Sequence, residues 1–87
     1  MEIKYSEKAV RQFKRIAKGD KKNATMIMRT IEKYSNSPKD KHDVKVLKGK
    51  YGSFKRLRAG NYRIIFDDDG IIMFIYEVKH RQEAYHD

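Results

Sequence analysis

The chain contains no cysteine among its 87 residues, so no disulfide or thiolate metal site can staple the fold, and no thiol can act as a nucleophile. A reducing, cytoplasmic setting is the expectation. No stretch approaches the roughly 20 apolar residues that a bilayer-spanning helix requires. The opening Met1-Glu2-Ile3-Lys4-Tyr5 carries an acid and no long apolar run, which does not read as a secretory signal. A soluble protein without a membrane partner is therefore expected. Acids are scarce too: 12 Asp and Glu stand against 21 Lys and Arg, a formal charge of +9. Hydrophobic residues make up 39% and charged residues 38%, enough apolar material for one thin core and no second one, so residues 1–87 read as a single domain.

Such a charge on so short a chain points to a polyanionic partner. Solubility alone, or a membrane surface, can also account for an excess of lysine, but the distribution speaks against both. Eight basic residues and one acid, Asp43, lie between Lys41 and Arg63, while Asp67, Asp68 and Asp69 are gathered in a turn. Positive charge is concentrated where chemistry would use it.

The order of elements follows from periodicity and breakers. Glu2 to Tyr5 reads as a first strand, and Ser6 can cap a helix. Ala9, Val10, Phe13, Ile16 and Ala17 draw one apolar stripe along that helix, which ends at Gly19. Asp20 or Asn23 opens a second helix with the stripe Ala24, Ile27, Met28, Ile31 and Tyr34, stopped by Ser37-Pro38, the only proline. Lys39 to Asp43 is a charged connector. Val44 to Leu47 has strand character, and Lys48-Gly49-Lys50-Tyr51-Gly52 is a loop whose two lysines can reach toward phosphate. Phe54 to Arg58 and Tyr62 to Phe66 flank Gly60-Asn61 as a two-residue hairpin, and Asp69-Gly70 marks another turn of that kind. Ile71 to Val78 is apolar on both faces and should lie inside the sheet. The fold class is α+β: an N-terminal strand and a helical hairpin packed on one face of an antiparallel sheet, whose other face stays open.

With Gly60-Asn61 as the loop, Ala59 pairs with Tyr62, Arg58 with Arg63, and Arg56 with Ile65. Arg56, Arg58 and Arg63 then converge on one face, and Leu57, Ile64 and Phe66 take the other. Like charges facing across an antiparallel pair destabilise it by some tenths of a kcal/mol, which a fold has no need of. If Asp69-Gly70 is also a two-residue loop, Arg63 pairs with Tyr76 and an aromatic joins the cluster. Arginine planes beside aromatic rings suit RNA, whose unstacked bases lie on rings while guanidinium groups hold phosphates. Lys48, Lys50, Lys55, Arg58 and Tyr76 are the RNA-binding candidates, although Lys55 points to the opposite face in this register. The competing reading has the arginines in surface salt bridges with Glu77, Glu83 and the Asp67 to Asp69 turn. Beyond Val78 a single helical turn would put Arg81 and Tyr85 four apart on one side, beside His80.

Leu47-Lys48-Gly49, then Phe54 to Phe66 with its Arg56-Leu57-Arg58-Ala59-Gly60-Asn61-Tyr62-Arg63 core, then His80-Arg81-Gln82-Glu83-Ala84-Tyr85, resemble RelE-type toxins of the RelE/ParE superfamily. Those toxins commonly show an L-K-G element, an R-x-R-x-G-x-Y-R hairpin and a closing H-R-x-x-x-Y. The resemblance implies a RelE-like toxin domain over residues 1–87, belonging to a type II toxin-antitoxin system. It also implies ribosome-dependent cleavage of messenger RNA and a cognate RelB-like antitoxin that holds the toxin silent. Carried over by position, Arg63 contacts the scissile phosphate, Arg81 protonates the leaving group and Tyr85 stacks on the substrate base. Arg56 falls roughly where the family can have a catalytic lysine. A guanidinium titrates above about pH 12 and does not readily accept a proton, so His80 becomes an alternative base or acid. The implied reaction, attack of a 2′-hydroxyl on the adjacent phosphorus, needs no metal or other cofactor, and no metal-binding motif is evident. Two alternatives remain: a ParE-like toxin that inhibits DNA gyrase by protein contact, and an RNA-binding module without chemistry.

Overall fold

The structure is a computed structural model and describes residues 1–47 and 54–82. Strand β1 (Glu2–Tyr5) is followed by helices α1 (Glu7–Gly19) and α2 (Lys21–Asn36), then by strands β2 (Val44–Val46), β3 (Lys55–Ala59), β4 (Tyr62–Asp68) and β5 (Ile72–His80). Each helix begins where the sequence supplies a cap. The Ser6 Oγ accepts from the Ala9 amide at 2.9 Å, and the Asp20 carboxylate accepts from the Asn23 amide at 3.2 Å, satisfying amide groups that a helix start leaves unbonded. Asp20 serves both helices, since its own amide closes α1 by donating to the Ile16 carbonyl. The first residue after Ser37 is Pro38, which cannot extend α2.

The five strands form one sheet in the order β1-β5-β4-β3-β2. It is mixed, where an antiparallel sheet was expected: β1 pairs parallel with β5, Ile3 opposite Met73, and the other pairings are antiparallel. The apolar β5 accordingly has strands on both sides, with β4 as the middle strand. The core lies between the helices and one face of this sheet. Ile27 and Ile31 of α2 pack with Leu57, Ile64, Phe66, Met73 and Ile75, all fully buried. Ala9 anchors α1 there, while Val10, at the margin of the stripe, stays exposed. None of the helices among the described residues is long and apolar enough to cross a membrane.

β1 is too short to cover all of β5, and α1 covers what it leaves. The Ser6 amide donates to the Ile75 carbonyl at 2.9 Å, the Ser6 hydroxyl donates to the Tyr76 carbonyl at 2.7 Å, and the Val78 amide donates to the Gln12 Oε1 at 2.7 Å. The cap residue Ser6 and the Gln12 side chain of α1 thus take over the edge bonding that a strand would supply.

Candidate nucleic-acid interface

The turn of the β3–β4 hairpin determines what meets across it. Gly60 adopts φ +59°, a left-handed conformation that costs a residue with a Cβ about 1–2 kcal/mol, and Gly60-Asn61 closes a two-residue loop. The register is the expected one: Ala59 faces Tyr62, Arg58 faces Arg63 and Arg56 faces Ile65. Leu57, Ile64 and Phe66 go into the core, which leaves Arg56, Arg58 and Arg63 on the face away from the helices.

The β4–β5 register differs from expectation. Arg63 faces Lys79, not Tyr76. Two causes add. Asp69 Oδ1 accepts from the Ile71 and Ile72 amides at 2.9 and 2.8 Å, so the turn spans four residues between Asp68 and its partner Met73. The ladder then slips once more between Ile65, opposite Glu77, and Phe66, opposite Ile75. Tyr76 is the extra residue of this β-bulge, and the bulge puts Tyr76 and Glu77 side by side on the open face.

Two rows result on that face. Lys45, Arg56, Ile65 and Glu77 pair successively across four strands, and Arg58, Arg63 and Lys79 pair across three. Strands are about 4.8 Å apart, so the second row sets three cations within about 10 Å. Acids sit at the flanks. Asp43 lies 3.5 Å from Arg56 and 3.9 Å from Arg58, and Glu77 pairs with Lys8 and lies 3.6 Å from Lys79. The arginines do form salt bridges, but to Asp43; Glu77 pairs with the lysines Lys8 and Lys79, Asp68 of the aspartate turn pairs with Lys55, and Glu83 lies outside the described residues.

The remaining candidates divide. Arg81 is exposed just past β5, its amide bonded to the Asn61 carbonyl at 2.7 Å, which places it at the hairpin tip. His80 is on the helix side of the sheet, opposite Tyr62 with the rings edge-on at 5.2 Å, beside a cleft that Gln12 and Arg15 also line. Alternation after Lys79 puts it there, away from Arg63. Lys55 is on the helix side as well, 3.4 Å from the Asp68 carboxylate. Tyr76 faces away from the helices, stacked on Phe54. Lys48, Lys50 and Tyr85, with the helical turn expected after Arg81, lie outside the described residues. Sequence reasoning missed Lys79 and Phe54. The run of three aspartates before Gly70 was the available signal, because an aspartate that caps the following amides lengthens its turn.

The family model described as the ParE toxin of type II toxin-antitoxin systems, parDE, matches residues 3–85. The chain belongs to the RelE/ParE toxin superfamily. A curated relative, Toxin RelE3 of Methanocaldococcus jannaschii, is 31% identical over 98% of this chain and 96% of its own. The toxin of the RelB-RelE antitoxin-toxin complex from Methanococcus jannaschii aligns with a TM-score of 0.71 and 28% identity over 91% of each chain. The YoeB/ParE toxin from Agrobacterium tumefaciens has a TM-score of 0.81 at 13% identity over 98% of this chain and all of its own, a likeness of fold alone. The α+β architecture is thus that of the superfamily's toxins, and the chain is a type II toxin with RelE-like homologues.

Proposed function

We propose that this toxin cuts messenger RNA on the ribosome and that a RelB-like antitoxin holds it silent. The observation that carries the reading is the row Arg58-Arg63-Lys79, with Arg56 beside it. The 2′-oxygen of one nucleotide attacks the adjacent phosphorus and the bond to the 5′-oxygen breaks, leaving a cyclic phosphate and a 5′-hydroxyl. Negative charge builds on the phosphoryl oxygens, and guanidinium groups already in place stabilise it; one such donor contributes on the order of 3 kcal/mol to lowering the barrier. Arg81 at the hairpin tip supplies the leaving oxygen's proton, and Tyr85 stacks on the neighbouring base. The 2′-proton needs an acceptor. Arg56 is a poor one, and His80 is on the helix side. Lys79 is directly across from Arg63, and a lysine amine in its neutral form is a chemically competent acceptor where Arg56 is not.

The test adds protein, ribosomes and a defined message, then sequences the ends. Arg63→Ala is expected to slow cutting by 100-fold or more with the fold intact, on the roughly 3 kcal/mol scale above. Lys79→Arg keeps the charge and is expected to retain ribosome binding but lose rate; wild-type cutting by this variant would reduce Lys79 to a counter-charge. A ParE-like action on gyrase is the second reading, favoured by the name of the matching family model. Inhibition of DNA supercoiling with no message ends would establish it.

A further inference from the structure

Across the open face from the cationic row is an aromatic group that the reaction as described does not use. Phe54, just ahead of β3, stacks on Tyr76, with centroids 4.5 Å apart and planes 27° from parallel. Phe74 also meets Tyr76, with ring centroids 4.8 Å apart and planes tilted by 43°. Met73 and Ile75 point into the core and carry Phe74 to the open face by alternation, and the bulge adds Tyr76 to it. Phe54, Ile65 and Tyr76 wall a recess whose polar rim is Ser6, Lys8 and Glu77. It holds about 300 Å³, at the small end of pockets that take small ligands, room for one flat ring and too little for a helix.

Its floor residue, Ile65, is the cross-strand neighbour of both Arg56 and Glu77. From Ile65 to Arg63 along β4 is two residues, about 7 Å. An apolar slot for a flat ring therefore lies within one nucleotide of three arginines.

We propose that this recess is a second base subsite, in which an unpaired nucleobase next to the cleaved phosphate packs against the Phe54–Tyr76 wall while its own phosphate faces Arg56. Charge complementarity selects the occupant. A ring entering here has Lys8 on its rim and Arg56 one strand over from Ile65. Each is already paired with a carboxylate, Glu77 and Asp43 respectively, and the phosphates of a polyanion can engage both where an apolar peptide cannot. Glu77, at the rim, can accept from an exocyclic amino group, so adenine, cytosine or guanine is favoured over uracil. The subsite rests on the RNA-cleaving reading.

The probe is a short 2′-O-methyl RNA, which cannot be cut, carrying 2-aminopurine at one position, paired with an oligonucleotide abasic at that position. Wild-type protein is expected to quench the 2-aminopurine and to bind the intact oligonucleotide more tightly than the abasic one. Phe54→Leu, checked for an unchanged melting temperature, should bind the intact oligonucleotide about 5- to 100-fold more weakly and the abasic one as before, the range for one base-aromatic stack. Tyr76→Phe should keep wild-type discrimination and Tyr76→Leu should lose it. Equal affinity of wild type for both oligonucleotides, without quenching, overturns the subsite but leaves the RNA reading standing, and the wall then reads as a protein-docking face. Binding of neither oligonucleotide at low salt overturns the subsite, and if the protein also leaves a defined message uncut in the presence of ribosomes, the RNA reading falls with it.

Discussion

Tyr34 shows how one residue ties the helix side of the sheet together. Its hydroxyl donates to Asp68 at 2.7 Å, and its ring meets Phe66 edge-on at 4.9 Å and His42 at 5.1 Å. Burial, reinforced by the hydrogen bond to Asp68 and its charge, pushes the phenol well above the ordinary tyrosine range. A folded-state value above the unfolded one, about 10, means that this stabilisation is complete below pH 10 and fades as the pH climbs above it. Tyr34→Phe should cost about 1 kcal/mol at neutral pH and should flatten the alkaline decline. Melting temperatures of both proteins from pH 8 to 11 check this, and curves that stay parallel throughout would disprove it. The same carboxylate meets Lys55. Alternation along β3 sets it on the helix side opposite Phe66, where Asp68 pairs with it, so a residue grouped by charge with the arginines works on the other face.

At the level of elements, α1 acts as cap, core helix and substitute strand at once, and Ser6 joins these roles. Its hydroxyl accepts from Ala9 and donates to the Tyr76 carbonyl at the bulge. Ser6→Ala should therefore cost more than a simple cap, about 2 kcal/mol, which for a domain of this size lowers the melting temperature by about 8–16 °C. A drop of only a degree or two would show that the bulge holds without it. What was legible in the sequence follows the same division. The helices and the β3–β4 register were readable because their determinants are local: Ser6, Asp20, Pro38 and Gly60-Asn61 each act on the next few residues. The β4–β5 register was not. It depends on Asp69 turning back onto two amides and on a bulge at Tyr76 whose carbonyl is held by the cap residue Ser6, 70 residues away in the chain. That slip replaced Tyr76 with Lys79 opposite Arg63, and with it changed the grouping of the candidate site. The parallel seating of β1 on β5 is likewise a long-range pairing, with no local residue to announce it.

At the scale of the whole molecule, the charge of +9 is divided between a working face and ordinary solvated surface, and salt can separate the two. If Arg58, Arg63 and Lys79 each meet a phosphate, the logarithm of RNA affinity should fall with the logarithm of salt at a slope of about −2, and Arg58→Ala should make it shallower by about 0.7. A slope unchanged in Arg58→Ala would place that residue off the RNA path. Arg58 and Arg63 also bear on the empty protein. The hairpin keeps two like-charged heads facing each other, a repulsion that the denatured chain relaxes simply by drifting apart. An arriving anion relieves it in the native state alone, so inorganic polyphosphate should protect this toxin against heat better than potassium chloride of equal ionic strength. The molecule is then least robust when idle and most robust when engaged, because the feature that equips it to grip a charged strand works against its own cohesion.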